Sequence, residues 1–282
     1  MAAQKRLHTA QPSLSRQMRA LEYDVGVELM TRSARGIELT PAGRAFLDHA
    51  RLALAQVEAA HAAARRAGMS CKASFAVGFP VGQEADWLPK VTSILRDELP
   101  NTDLTVYSQC SPDLALALRR GQLDLAFLRP ERDFDDLEYR VVTTEPIVAF
   151  LPSDHRLAYQ DTIGVEDLAH ENFLGRDGRS APVFRTVIDE YLARSGVIIR
   201  PNLETDNIVT AVSLVSSARC VALGPAFAKI SFPPSVTRRP LRGEAPTIDL
   251  VIGYNKSNNS PILKRFLSRV DDLIAALAKT AD

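Results

Sequence analysis

From residue 69 onward, short apolar runs alternate with amphipathic stretches in a repeating order that few folds accommodate. Residues 75–79, 103–108 and 123–128 read as strands, with helical stretches at 87–99 and 113–120 between them. A second set follows, with helices at 165–168, 181–194 and 208–217 and strands at 172–174, 202–205 and 220–223. A strand at 248–254 and an amphipathic helix at 262–278 complete the pattern. Strand, helix and strand in succession make a βαβ unit, so the expectation is an α/β body with a mostly parallel sheet. At 282 residues and 46 % hydrophobic content the chain can bury ordinary cores, and its length suggests about two domains.

The first part of the chain has a different grammar. In QPSLSRQMRALEYDVG, which starts at Gln11, the apolar residues Leu14, Met18, Leu21 and Val25 fall on one helical face. Pro12 suits the first turn, where its missing N–H costs nothing, and Gly26 is the expected stop. The opposite face carries Gln11, Ser13, Ser15, Arg16 and Arg19, side chains that reach base edges and phosphates from the major groove. VELMTRSARGIELTPAG then reads as a strand, a turn at Ala34, Arg35 and Gly36, a second strand, and a helix capped by Thr40 with Pro41 at its first position. Arg32 and Arg35 sit on this short basic hairpin, where a wing would meet phosphates or the minor groove. The helix after Thr40 is expected to end at Gly68. It spaces Leu47, Ala50, Leu54, Val57, His61 and Ala64 by threes and fours, an a/d seam suited either to a partner helix or to packing within its own domain.

Charge follows the same division. Residues 1–67 hold ten basic and six acidic side chains, which leaves 24 basic against 28 acidic in the remainder, so overall neutrality conceals a mildly basic head. No run approaches the ~18 apolar residues of a membrane span, and the N-terminus lacks the apolar stretch of a signal peptide, so a cytoplasmic protein is expected. Cys71, Cys110 and Cys220 fit neither a disulfide framework nor a structural zinc site. A peroxide-sensing pair of Cys110 and Cys220 is the minor reading against buried free thiols. His8, His49, His61, His155 and His170 have no metal-ligand spacing, and no phosphate loop, Gly-x-Ser-x-Gly or His-Glu-x-x-His occurs. The expectation is therefore no enzyme, no metal and no cofactor.

In the body, Ser111 precedes Pro112 as an expected N-cap, Ser180 stands before Ala181 and Pro182, and Asn207 heads a helix without a charge until Arg219. In parallel α/β folds such helix starts gather at the carboxyl edge of the sheet, where free N–H groups favour anions. The loop FPVGQE occupies the same edge, and Pro80 and Gly82 suggest backbone amides open to a ligand. Arg129 closes an apolar strand and needs either a carboxylate, with Asp113 and Glu145 as candidates, or a ligand.

The segment RLHTAQPSLSRQMRALEYDVGVELMTRSARGIELTPAGRAFLDHAR resembles the winged helix-turn-helix of LysR-type transcription regulators, in particular the branch that includes regulators of aromatic-compound breakdown. LDLAFLRP, LPSDHRLA and VALGPA extend the resemblance through the body. It implies a winged helix-turn-helix at 1–39 and a linker helix at 40–68 through which subunits dimerise or form tetramers. An effector-binding domain at 69–282 would consist of two Rossmann-like lobes of periplasmic-binding-protein type, one at 69–149 with 247–282 and the other at 150–246, crossed by the chain near Phe150 and Pro246. By resemblance Val81, Gly82, Ser111, Arg129 and Asn207 line the effector pocket, although the family more often carries a hydroxyl residue where this chain has Val81 and Gly82.

Gln11, Pro12, Ser13, Ser15, Arg16, Arg19, Arg32 and Arg35 match the DNA-reading positions. The expected partners are double-stranded promoter DNA, a small effector that is a carboxylate or aromatic acid, further copies of the chain and possible contact with RNA polymerase, without a membrane. The family module has a further helix before the position of Arg6, so the expectation is either a start further upstream or weak DNA binding. The rival is a ligand-binding protein on the same two-lobed body, which would need neither a basic wing nor a dimer helix.

Overall fold

The structure, a computed structural model, describes residues 11–33, 36–69, 73–226, 232–271 and 274. The chain divides into two compact units, Met1–Glu58 and Ala59–Asp282.

The first unit begins with α1 (Gln11–Val25), which stops as expected at Gly26. Gly26 has φ +80° and its N–H donates to the Glu22 carbonyl at 2.9 Å, the left-handed ending that favours glycine. Strands β1 (Met30–Ser33) and β2 (Gly36–Leu39) pair antiparallel, with Met30 opposite Leu39. The Glu22 carboxylate ties the hairpin to α1 by accepting from the N–H groups of Leu29 at 2.9 Å and Met30 at 3.0 Å. Thr40 caps the next helix, since its hydroxyl accepts from Gly43 N–H at 2.9 Å and donates to the Glu28 carbonyl at 2.8 Å. A side chain at Gly43 would place Cβ 1.9 Å from the Leu29 carbonyl oxygen, so hairpin and helix meet only through a glycine.

Helix α2 (Pro41–Met69) is described to one residue beyond Gly68, the stop expected from the sequence.

The second unit is built on one nine-stranded sheet. In chain order its elements are β3 (Ala73–Pro80), α3 (Glu84–Glu98), β4 (Thr102–Gln109), α4 (Ser111–Arg119), β5 (Leu125–Leu128) and the 16-residue β6 (Leu137–Pro152). Two 3-10 turns, Arg156–Tyr159 and Val165–Leu168, lead to β7 (Phe173–Arg176), α5 (Pro182–Arg194), β8 (Leu203–Thr205), α6 (Ile208–Ser217) and β9 (Val221–Pro225). After β9 come β10 (Val236–Pro240), β11 (Thr247–Asn255) and α7 (Pro261–Leu267).

The strand order is β4-β3-β5-β11-β6-β9-β7-β8, with β10 beside β6. Each half has a parallel core: β3 lies between β4 and β5, and β7 between β8 and β9. The expected mostly parallel sheet needs correction, because β11 pairs antiparallel with β5 and β6, and β6 pairs antiparallel with β9 and β10.

Strands β6 and β10 were not anticipated. Pro146 argues against a strand through the middle of β6, yet it falls where the chain passes from one half to the other. There Ile147 N–H donates to the Pro246 carbonyl at 2.9 Å, so the outward and return crossings are hydrogen-bonded to each other.

Side-chain alternation decides which residues enter each core. Along β3, Phe75, Val77 and Phe79 pack with Trp87, Val91 and Phe266 on one face, while Ala76 faces Leu114, Leu118 and Leu123 on the other. Gly78 sits on that second face, where a Cβ would come within 2.5 Å of the Leu114 side chain. Along β6, Ile147, Ala149 and Leu151 join one core of the second half, and Val148 and Phe150 join the other. Each large apolar side chain buried in this way contributes roughly 1.5–3 kcal/mol.

Candidate functional site

At the carboxyl ends of the parallel strands, the two halves of the second unit line a partly open cleft. One wall comes from Val81 and Gln83 after β3, Cys110 and Ser111 at the start of α4, and Arg129 and Glu131 after β5. The other comes from Arg176 at the end of β7, Ser180, Ala181 and Phe184 at α5, Asn207 and Ile208 at α6, and Leu223 with Gly224 on β9. Three helices therefore start at the cleft, where N–H groups outnumber acceptors and the helix dipoles favour negative charge.

Of the five pocket residues expected from the sequence, Val81, Ser111, Arg129 and Asn207 line the cleft. Gly82 does not: it takes φ +91° and its N–H donates to the Glu84 carboxylate at 2.8 Å. The expected open amide is thus satisfied by a side chain two residues away.

Asn207 caps α6 as expected, with Oδ1 accepting from Thr210 N–H at 2.8 Å and Nδ2 donating to Asp206 at 2.8 Å. Ser111 is not a cap. It is the first residue of α4, Cys110 stands at the cap position without a side-chain bond to the helix backbone, and the Ser111 hydroxyl accepts from Arg129 N–H at 3.0 Å. Nor does Ser180 cap α5; Ala181 holds that position, and the Ser180 hydroxyl donates to the Asp177 carbonyl at 3.0 Å.

Arg129 is 8 % exposed and forms an ion pair with Glu145 of β6, one of its two candidate partners. The other, Asp113, accepts from the Cys110 thiol at 3.0 Å. A buried guanidinium is tolerable when a carboxylate neutralises it, so Arg129 brings little free positive charge to the cleft.

Three further cleft residues escaped the sequence reading. Arg176 ends β7 as Arg129 follows β5, so the same pattern applied to the second half would have found it. Its Nη2 donates to the Asp206 carbonyl at 2.9 Å, its Nε meets no acceptor, and burial pulls the guanidinium down to about 10, partly offset by the nearby Asp206. Gln83 is 1 % exposed, and neither polar atom of its carboxamide has a hydrogen-bond partner. Glu131 also has a buried oxygen without a partner, and burial, helped by Asp133, pushes its carboxyl up to about 7. No local signal marks Gln83 or Glu131.

Burial, reinforced by the Asp113 carboxylate, pushes the Cys110 thiol up to about 11, and burial raises Cys220 as well. Neither is the thiolate that peroxide sensing requires. Among the described residues no three His, Cys, Asp or Glu gather as metal ligands, and no helix is long and apolar enough to cross a membrane.

In the first unit, Arg16 and Arg19 project from the exposed face of α1, while Ser15, Met18 and Leu21 are partly buried. The side chains of Gln11, Pro12, Ser13 and Arg32 lie outside the described residues, as does Arg35. On the α2 seam Leu47 and Ala50 are partly covered, whereas Leu54 and Val57 are 66 % and 52 % exposed and His61 and Ala64 are exposed.

Residues 72–274 match the LysR substrate binding domain, and residues 1–44 match the bacterial regulatory helix-turn-helix protein of the lysR family. The Hca operon transcriptional activator HcaR of Escherichia coli (strain K12) is 31 % identical over 277 residues, 98 % of this chain and 93 % of that protein. Full-length CbnR, solved with its target DNA, aligns at 24 % identity and a TM-score of 0.60, covering 97 % of this chain and 93 % of that one. The effector binding domain of QuiR, solved with shikimate, aligns at 17 % identity and a TM-score of 0.64, covering 71 % of this chain and 95 % of its own. These last two likenesses are of fold. Family matches at both ends and a relative aligned along nearly the whole chain lead to one conclusion: this protein belongs to the LysR family of DNA-binding transcription regulators and pairs its helix-turn-helix with an effector-binding domain.

Proposed function

We propose that this regulator reads promoter DNA as a homodimer or homotetramer and is controlled by a small carboxylate or aromatic acid held in the cleft. The division of labour in this reading is a head at 1–39, a linker helix at 40–68 and an effector domain at 69–282. The observation that carries the effector class is the convergence of the starts of α4, α5 and α6 on one cleft with an apolar floor that includes Phe184 and Leu223. That combination suits an anionic group on an apolar body. QuiR bound to shikimate is a fold neighbour whose ligand is an acid.

The DNA side of the reading rests on Gln11, Pro12, Ser13, Ser15, Arg16 and Arg19 along α1 and on Arg32 and Arg35 of the hairpin. Arg16 and Arg19 are exposed on a helix whose apolar face is partly covered, so they are free to displace counterions from phosphates. Leu54 and Val57, open to solvent on the seam of α2, support a partner helix there over packing within the domain. An acid in the cleft can shift DNA affinity only if it binds the two subunit arrangements unequally.

Gel-shift titration against the chain's own upstream DNA, at two salt concentrations and with and without benzoate or shikimate, tests this reading. The expected result is binding that weakens steeply with salt and changes with at least one acid. Binding to random DNA of equal strength at both salts would remove the regulator reading of the head. Indifference to every acid would remove the effector class.

A further inference from the structure

We propose that Arg176 and Gln83, which line the cleft from its two halves, select an acid that carries a second hydrogen-bonding group, with Arg176 taking the carboxylate and Gln83 the second group. This rests on the reading of the cleft as the effector site and narrows the ligand from any small acid to a hydroxy acid or diacid on an apolar frame.

The cleft offers two arginines, and their surroundings separate them. Arg129 is already matched by the Glu145 carboxylate, and its backbone N–H is taken by Ser111. A ligand carboxylate there would compete with a buried ion pair. Arg176 has given one guanidinium N–H to the Asp206 carbonyl and keeps an Nε without an acceptor at the cleft wall. A planar fork with donors to spare in a partly dehydrated site is the arrangement that recognises a carboxylate. Burial weakens the hold of Arg176 on its proton, a cost that an incoming anion would relieve.

Gln83 supplies the second requirement. It stands at the cap position of α3, where its main chain is fully used: N–H donates to Pro80 at 2.9 Å, and the carbonyl accepts from Asp86 at 3.1 Å. Its carboxamide has no such employment, although it is 99 % removed from solvent and lines the cleft. A buried donor and acceptor left without partners carry an uncompensated desolvation cost, and the pair together asks for a group that both gives and takes a hydrogen bond. A hydroxyl or a second carboxyl does so; a bare hydrocarbon edge does not.

The test is isothermal titration calorimetry on the full chain with benzoate, 3-hydroxybenzoate and isophthalate. Each acid is titrated into the unmodified protein and into Arg176→Gln, Arg176→Lys, Gln83→Leu and Ala181→Trp, the last of which places a large side chain at the cleft wall. The expected result is preference for 3-hydroxybenzoate or isophthalate over benzoate. Arg176→Gln should weaken binding by about tenfold or more, and Arg176→Lys should recover part of it. Gln83→Leu should remove the preference and leave benzoate within about twofold of its original affinity.

If Arg176→Gln does not fold, Arg176→Lys carries the test, because loss of the fork alone should still weaken every acid. An acid whose binding is blocked by Ala181→Trp yet unaffected by Arg176→Gln and Gln83→Leu would leave the cleft as the effector site and overturn this inference. Equal weakening of all three acids by Gln83→Leu would mark Gln83 as structural and overturn its part. Absence of binding by any acid, or binding that survives Ala181→Trp, would overturn the cleft reading and this inference with it.

Discussion

Both halves of the effector-binding domain set an arginine at the cleft where an apolar strand ends, Arg129 after β5 and Arg176 on β7, and both build three parallel strands flanked by helices around it. In the first half the long strand β6 brings Glu145 across to neutralise Arg129. In the second half no carboxylate forms an ion pair with Arg176 among the described residues; a carbonyl oxygen accepts from it, and Asp206 and Asp177 favour its charge only through space. The same local pattern therefore yields a structural ion pair in one half and an available cation in the other. The difference lies in which residue of a distant strand arrives opposite the arginine, not in the arginine or the strand that carries it.

The largest expected effect breaks the paired side. Glu145→Leu strands a buried guanidinium and should destabilise the domain by about 3–5 kcal/mol in urea unfolding, whereas Glu145→Leu combined with Arg129→Met should recover most of that loss. Arg176→Gln should move the midpoint far less. Equal losses from Glu145→Leu and Arg176→Gln would erase the distinction between the halves.

A second comparison concerns one glycine on a parallel strand of each half. Gly78 of β3 lies against Leu114 and Leu123, and Gly224 of β9 would bring a Cβ to 2.4 Å from the Phe150 ring. Either substitution by alanine should cost about 1–3 kcal/mol by overpacking. Gly224→Ala should also disturb acid binding, since Gly224 lines the cleft and Gly78 does not. Thermal melts together with ligand titrations on both variants would show whether packing and site are coupled only in the second half.

Helix starts differ in the same way. Asn207→Ala removes a working cap and should cost about 1 kcal/mol, while Ser180→Ala, at a residue that caps nothing, should be nearly silent. Chemical denaturation resolves a difference of that size.

The remaining effect depends on pH and should come from Glu131. Its carboxyl is held up at about 7 by burial and by Asp133, above the value it has in an unfolded chain. The folded protein therefore binds this proton more tightly, a contribution that is fully present below the ordinary carboxylate range and is lost as pH rises through about 7. The urea midpoint of the unmodified protein should fall between pH 5 and 8 by more than that of Glu131→Gln, a window set by the raised value and its ordinary reference. Identical profiles would mean that Glu131 is ionised throughout. Acid binding should weaken over the same interval, because an ionised Glu131 repels an anion in the cleft.

What was legible in the sequence belongs to contacts between residues near one another in the chain. The α6 boundaries at Ile208 and Ser217, the Asn207 and Thr40 caps, the Gly26 stop and the β1–β2 hairpin all follow from periodicity and side chains a few positions away. The amphipathic pattern likewise determined that α1 exposes Arg16 and Arg19. Tertiary structure decided the rest. Pro146 could lie within a strand because that strand crosses between halves there, Gly82 lost its free amide to Glu84, and Ser111 turned from a helix cap to the backbone of Arg129. The fates of Arg129 and Gln83 depend on burial and on partners contributed by other strands and helices, because a charge or an amide acquires its cost only when water is removed and its relief only from whatever the fold brings beside it.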